Sequence, residues 1–310
     1  MSTSRPVDLV DPVDPVDPAD LGQPERQRTA AWRLLLGNPL TVVSGLVLLL
    51  VVLVALFGQW IAPFGINEID VPNALRGPSA THWFGTDDLG RDIFSRVLLA
   101  TRVSLIVAVT SVAFAFVVGV TMGMLSGYSG GWLDTVMMRI VDVMFAFPVI
   151  LLALAIIAIL GPSVVSTTLA IGVVYTPIFA RVARASTLSV RVEPFVLVSQ
   201  TMGTPTWRIV LRRVLPNVAG PLMVQTSLSL AFAILSEAAL SFLGLGVQPP
   251  QPSWGRMLFD AQGFIGEAWW MSLFPGAAIF VTVLAFNLLG DSLRDVLDPK
   301  QRSLMEAGRG

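Results

Sequence analysis

Six long apolar runs, at 40–62, 104–127, 143–161, 164–183, 219–243 and 270–290, constrain this chain more than any other feature. Each is near the ~20 residues a helix needs to cross a bilayer, and none is long enough for two crossings. In hydrocarbon every backbone N–H and C=O must be paired within the protein, so such runs fold as helices. Charged residues make up 13% of the 310 and hydrophobic ones 54%, whereas a soluble domain carries about 25% charge. The chain cannot cover itself with polar surface. The sequence predicts an all-α polytopic membrane protein with about six transmembrane helices.

Arginine placement predicts the orientation. Arg5, Arg26, Arg28 and Arg33 precede the first run. Arg181, Arg184, Arg191, Arg208, Arg212 and Arg213 flank or fill the fourth-to-fifth connection, and Arg294, Lys300, Arg302 and Arg309 follow the last run. With six crossings these regions share one side, which the positive-inside rule makes the cytoplasm, together with both termini. Arg76, Arg91, Arg96, Arg102 and Arg256 on the other side are diluted by Glu68, Asp70, Asp87, Asp88, Asp92, Asp260 and Glu267. A multi-pass protein of the cytoplasmic membrane is expected.

Four segments are predicted. Residues 1–30 form an acidic Asp/Pro tail, with Asp8, Asp11, Asp14, Asp17 and Asp20 spaced three apart, as on a polyproline-II face; it has little to bury and is expected to be disordered. Its acidic-then-basic order is not that of a signal peptide. Residues 31–103 hold an interfacial helix at "WRLLLGNPL", the first span and an outer loop. Residues 104–299 form the membrane core with a basic loop at 185–217, and 300–310 a cytoplasmic tail. "GPS" at Gly161–Ser163 predicts a tight hairpin between the third and fourth spans.

Several residues stand out. Ser111, Ala115, Gly119, Gly123 and Gly127 recur every four residues, a small-residue face that packs either within the chain or against a second one. Glu237 is an acid inside the fifth span, and must either touch a polar substrate or hold a neighbouring helix. In the first outer loop, Asp87–Arg91 and Asp92–Arg96 are acid-before-base pairs at i,i+4, which predicts a surface helix from about Asp88 to Arg102, leading into the second span. Trp269 and Trp270 fall where an aromatic belt would lie.

Other chemistry is limited by what the sequence holds. There is no cysteine, a single histidine (His82) and a net charge of -1, so thiolate or His-cluster metal sites and nucleic-acid binding are not expected. A P-loop needs G-x-x-x-x-G-K-[ST], and the single lysine, Lys300, stands between Pro299 and Gln301. The chain therefore has no catalytic, cofactor or metal site of its own. Transport driven by ATP would need a second polypeptide acting on a cytoplasmic surface.

"RVEPFVLVSQTMGTPTWRIVLRRVLPN" (Arg191 to Asn217) is suited to be that surface. Pro194 can open a short helix and Gly203 can stop it. "TWRIVLRRVL" reads as an amphipathic helix on the membrane surface, with Trp207, Val210, Leu211 and Val214 on one side, ended by Pro216-Asn217. Phe195–Met202 is apolar with no evident core to bury it, as partner sites are.

The segment resembles the cytoplasmic coupling loop of binding-protein-dependent ABC importer permeases. That motif has Glu-Ala-Ala, a glycine after three more residues, and Leu-Pro twelve positions beyond the glycine. Gly203, Leu215 and Pro216 keep the spacing; Leu197, Val198 and Ser199 stand where Glu-Ala-Ala would. "FGTDDLGRDIFSR", "GYSGGWLDTVMMRIVDVMFAFP", "SEAALSFLGLGVQPPQPSWGRML" and "FNLLGDSLRDVLDP" narrow the resemblance to C-type permeases of the dipeptide/oligopeptide subfamily, over about Trp32 to Pro299.

The resemblance implies a type I ABC importer permease fold. It implies pairing with a homologous B-type permease, two ABC ATPase subunits that bind ATP and Mg, and an extracytoplasmic solute-binding protein that delivers peptide. The coupling surface would be Phe195, Leu197, Val198, Ser199, Gln200, Met202, Gly203, Thr204, Leu215 and Pro216. Glu237, Gly119, Gly123 and Gly127 would serve the pathway or helix packing. Nickel or glutathione are alternative cargoes on the same pattern. An autonomous secondary carrier or channel, and a membrane scaffold, are the rival classes.

Overall fold

A computed structural model describes residues 38–297. The tails at 1–30 and 300–310, and all but the end of the segment read as an interfacial helix, lie outside the described residues. Among these, five helices are long and apolar enough to cross a membrane, or six if one sharply bent pair forms a single span. No strand is present there beyond one bridge between Thr86 and Asp92.

Helix α1 (Pro39–Ile61) opens with Asn38, whose side chain accepts from the Leu40 amide, and Pro39 in its first turn. α2 (Ile93–Ser129) has 37 residues. At 1.5 Å per residue it is about 55 Å long and overshoots a ~30 Å hydrocarbon core. The surface helix expected over about Asp88 to Arg102 does lead into the second span, but it begins only at Ile93, as the first part of α2. The helix starts only at Ile93 because the Asp92 carboxylate caps it, accepting from Ser95 N at 2.8 Å and Ser95 Oγ at 2.7 Å. Asp87 and Arg91 do pair, Nε to Oδ2 at 2.6 Å, but within the preceding turn. Arg96 does not pair with Asp92. It reaches Asp87 at 3.6 Å, Asp260 at 3.9 Å and the Ile66 carbonyl at 3.1 Å.

The third predicted span, 143–161, is not one straight helix. α3 (Gly131–Phe145) and α4 (Val149–Leu160) meet at 92°. Pro148 is the cause, having no N–H to continue the ladder and driving Phe147 away from helical angles. α4 has 12 residues, about 18 Å of rise, so it cannot span the core alone. The predicted hairpin at Gly161–Ser163 leads into α5 (Val164–Val190), capped by the Ser163 hydroxyl accepting from Ser166 N.

α6 (Pro194–Thr201) and α7 (Thr206–Ile209) follow, then a π turn at Val210–Val214 and α8 (Leu215–Phe242). α9 (Trp254–Ala261) and α10 (Trp270–Leu297) complete the fold. The sequence expectation that Pro216-Asn217 ends an amphipathic helix is corrected here. The run continues without a break into α8 because the π turn absorbs the proline. The Leu215 amide donates to the Val210 carbonyl, and Asn217 Nδ2 donates to the Arg213 carbonyl at 2.6 Å. The widened turn makes room for a ring that would otherwise press on the carbonyl four residues back. The buried side of the run is Ile209, Val214 and Val218.

The packing centre is the pair α2–α5. A Cβ added to Gly119 would lie 2.5 Å from the Thr176 carbonyl oxygen, and one on Gly127 would lie 2.9 Å from that of Arg184; between them, one on Gly123 would collide with the Ala180 carbonyl. The small-residue face is therefore consumed inside the chain, where backbone approach drives helix association in lipid. α8 packs on α10, with Ser227 Oγ donating to the Phe286 carbonyl at 2.7 Å. α1 leans on α2 and α10 but leaves most of its surface exposed.

The bundle has two unlike ends. The long-loop end carries residues 62–92 and 243–269. The basic end carries α3, α6 and the arginines of the α5–α8 connection.

Candidate functional site

α6 is a helix of 8 residues, too short to be stable on its own. Its sequence and its neighbours fix it. Pro194 occupies the first turn after an extended Glu193. At the other end Gly203 takes φ +73°, a left-handed conformation that favours glycine. Its amide donates to the Gln200 carbonyl, and the Thr204 amide donates to that of Ser199. This pair of bonds closes the helix and satisfies two of its orphan carbonyls. Gly203 thus stops α6, as its sequence position suggested.

Two contacts from α6, and one from Arg191 just before it, hold the segment to the bundle. Val196 is fully buried beneath it. Gln200 Nε2 donates to the Tyr128 hydroxyl at 3.0 Å, and Arg191 Nη1 donates to the Gly127 carbonyl at 2.9 Å. Both partners belong to the last turn of α2. Neither contact was foreseen from the sequence, because residues 64 to 72 positions apart leave no local signal.

The structure brings eight of the ten predicted coupling residues onto this one segment. Phe195, Leu197, Val198 and Met202 are exposed, Met202 at 79%. Ser199 faces inward, its hydroxyl donating to the Phe195 carbonyl at 2.7 Å. Of the three positions that depart from Glu-Ala-Ala, only Leu197 and Val198 therefore alter the outward face. Leu215 and Pro216 lie apart, in the first turn of α8. Trp207 and Leu211 are exposed beside Arg208, Arg212 and Arg213, and Arg208 stacks over the Trp207 ring at 5.4 Å. The site is an apolar knob with a basic flank, seated on the end of α2.

That base is linked to the bent pair α3–α4. Arg184 of α5 meets Asp134 of α3 with two bonds of 2.6 Å, and Ser126 of α2 donates to the same carboxylate. Further along, Arg181 pairs with Asp142 at 2.8 Å and lies 4.0 Å over the Phe145 ring.

Glu237 lies at the opposite end of the bundle and is fully buried. Ser104 Oγ of α2 donates to its Oε2 at 3.1 Å, and Ser241 Oγ to its Oε1 at 2.7 Å. Ser104 Oγ also accepts from the Trp254 amide at 3.2 Å, and Ser241 Oγ from the Val247 amide at 3.1 Å. The carboxylate thus ties α2, α8 and the loop before α9 into one network. One of these bonds reaches a neighbouring helix, from Ser104 of α2. Trp254 completes the join, its indole donating to the Val97 carbonyl at 3.2 Å.

The tryptophan pair is split. Trp269 is 54% exposed, but Trp270 is buried at 8% and donates to the Thr86 carbonyl at 3.0 Å. Trp270 pins the first long loop to α10 instead of standing in an aromatic belt.

Residues 119–303 match the family described as "Binding-protein-dependent transport system inner membrane component". Residues 27–78 match the N-terminal TM domain of oligopeptide transport permease C. The dipeptide transport system permease protein DppC of Alkalihalophilus pseudofirmus is 46% identical, over 90% of this chain and 94% of its own length. The glutathione transport system permease protein GsiD of Pectobacterium atrosepticum is 44% identical, over 88% and 91%. An inward-facing conformation of the MetNI methionine ABC transporter has a chain that superposes with a TM-score of 0.55, over 66% of this chain and 98% of that one, at 20% identity, a likeness of fold alone.

Proposed function

This chain belongs to the binding-protein-dependent transport system inner membrane components, as a permease of the ABC importer class, and we propose that it imports di- or oligopeptides as one half of a translocation pathway. The dipeptide and glutathione permeases among its relatives support a peptide cargo, since glutathione is itself a short peptide. A B-type sister permease forms the other half, a solute-binding protein delivers the peptide, and two ATPase subunits supply ATP and Mg chemistry that this chain lacks. The basic end, with Arg208, Arg212 and Arg213 exposed, faces the cytoplasm under the positive-inside rule.

The observation that carries this reading is the exposed apolar face of α6 on a base tied to α2 and, through α2, to α3 and α5. Nucleotide-driven closure of the ATPases pushes on Leu197, Val198 and Met202. Gln200 and Arg191 pass the push to α2, and the pair Arg184–Asp134 passes it to the bent segment. The membrane domain then needs two arrangements whose populations the nucleotide state biases. Reconstitution into proteoliposomes tests the reading. Peptide uptake is expected only with the sister permease, the ATPases, the binding protein and ATP together. Uptake by this chain alone on an ion gradient would sink it.

A further inference from the structure

A cavity of about 580 Å³ lies between α1 and α2 at the long-loop end. Val54 and Gly58 of α1 and Leu99 and Val103 of α2 make apolar walls, and Gln59 and Arg102 bring polar groups. The two helices touch above it, where Gly58 abuts the Leu98 backbone. Arg102 stands one turn deeper than Leu98. Val164, the first residue after the Gly161–Ser163 hairpin, shares the lining, and the α2–α5 register (Ser111 on Thr168, Gly119 on Thr176) puts Arg102 just outside it, toward the long-loop end. That is the depth at which a span leaves the bilayer and headgroup phosphates begin.

The Arg102 side chain is exposed into this groove and, like that of Arg76 in the first long loop, makes no hydrogen bond or ion pair among the described residues, whereas Arg91, Arg96 and Arg256 have carboxylate partners. A guanidinium at membrane depth needs an anion, and its fork fits a phosphate with two parallel bonds. Leu56 of the lining belongs to the exposed apolar face of α1, with Leu53 and Phe57, a face suited to lipid tails.

We propose that this groove holds one anionic phospholipid from the leaflet at the long-loop end, its phosphate on Arg102 and an acyl chain along Val54, Leu99 and Val103. The lipid fills the gap between α1 and α2 below their contact at Gly58, and fastens the peripheral helix to the core. This site is independent of the transport reading, because it requires only that the chain spans a bilayer.

Native mass spectrometry of the full-length chain, with whatever subunits co-purify, tests the site. The protein is released from nanodiscs of equal phosphatidylglycerol and phosphatidylcholine, and retained lipids are counted. The wild type is expected to keep one phosphatidylglycerol, and Arg102→Gln to keep it about fivefold less. Arg102→Lys should fall between them, lacking the fork. Val54→Trp, which narrows the groove and leaves Arg102 in place, should also lower retention. Equal phosphatidylglycerol retention by the wild type, Arg102→Gln and Val54→Trp would overturn the proposal. So would loss of the sister permease from Arg102→Gln at unchanged lipid retention, which would make the occupant a protein.

Discussion

Arg184 of α5 and Asp134 of α3 meet fork to fork, Nε on Oδ1 and Nη2 on Oδ2, each at 2.6 Å. The pair joins a long span to the helix that turns through 92° into α4. Arg184 is a third exposed, so solvent screening reduces what the charges alone contribute. Asp134→Asn should cost about 1 kcal/mol of stability, and it should uncouple ATP hydrolysis from uptake more than it unfolds the chain. The exchanged pair Asp134→Arg with Arg184→Asp should restore part of the coupling. A thermal melt and the ratio of ATP hydrolysed to peptide imported would check this. A double exchange no better than either single change would show that the pair does not link the helices.

Gly123 predicts a sharper loss. Any side chain there collides with the Ala180 carbonyl. Gly123→Leu should force α2 and α5 apart and destabilise the chain by about 1–3 kcal/mol, as overpacking does. Gly263, where an added Cβ meets nothing within 4 Å, should accept alanine with little effect. Expression and melting temperature in detergent separate the two.

Glu237→Gln keeps the shape of the carboxylate but offers an amide where a serine hydroxyl now donates. One of the two bonds from Ser104 and Ser241 is then lost, at about 1–3 kcal/mol for a buried group. The first region to loosen should be 243–254, where Val247 and Trp254 hang from the same serines. Hydrogen exchange should rise there and stay unchanged in α6. Unchanged exchange in that loop would make Glu237 a passenger.

Much of this architecture is legible in the apolar runs, and the failures have identifiable causes. The spans follow from length and hydropathy, and Gly203 marks the end of α6 because only its backbone closes that turn easily. The bend at Pro148 was missed because an apolar run hides a break that one missing N–H produces. The continuity of α7 into α8 was missed because Pro216 is read as a stop, and nothing local reveals the π turn that accommodates it. Asp92 looked like the i,i+4 partner of Arg96. Its carboxylate instead caps α2, and Arg96 goes to Asp87 and Asp260, the latter far along the chain. Long-range pairs such as Gln200–Tyr128 leave no trace in spacing.

Pro216→Ala isolates that accommodation. With the amide restored, the turn at Val210–Val214 can tighten to an ordinary α-helix and rotate the residues before it by part of a turn. Trp207 and Arg208 would then shift relative to α6. Cross-linking efficiency between cysteines placed at Met202 and Trp207 should change in Pro216→Ala, and no change would show that the proline does not set the geometry.

The central claim is that the outward face of α6 receives an ATPase subunit, and Val198 tests it most directly. Val198 is 55% exposed and lies on the side of α6 opposite the buried Val196, so Val198→Arg should leave folding intact, whereas Gly203→Trp would also strain the helix stop. The measurement is the amount of ATPase that co-purifies with the variant, with the sister permease as internal reference. A charge in the centre of a docking surface should lower ATPase recovery about tenfold or more, with the sister permease and membrane insertion unchanged. ATPase recovered at the wild-type ratio would contradict the account.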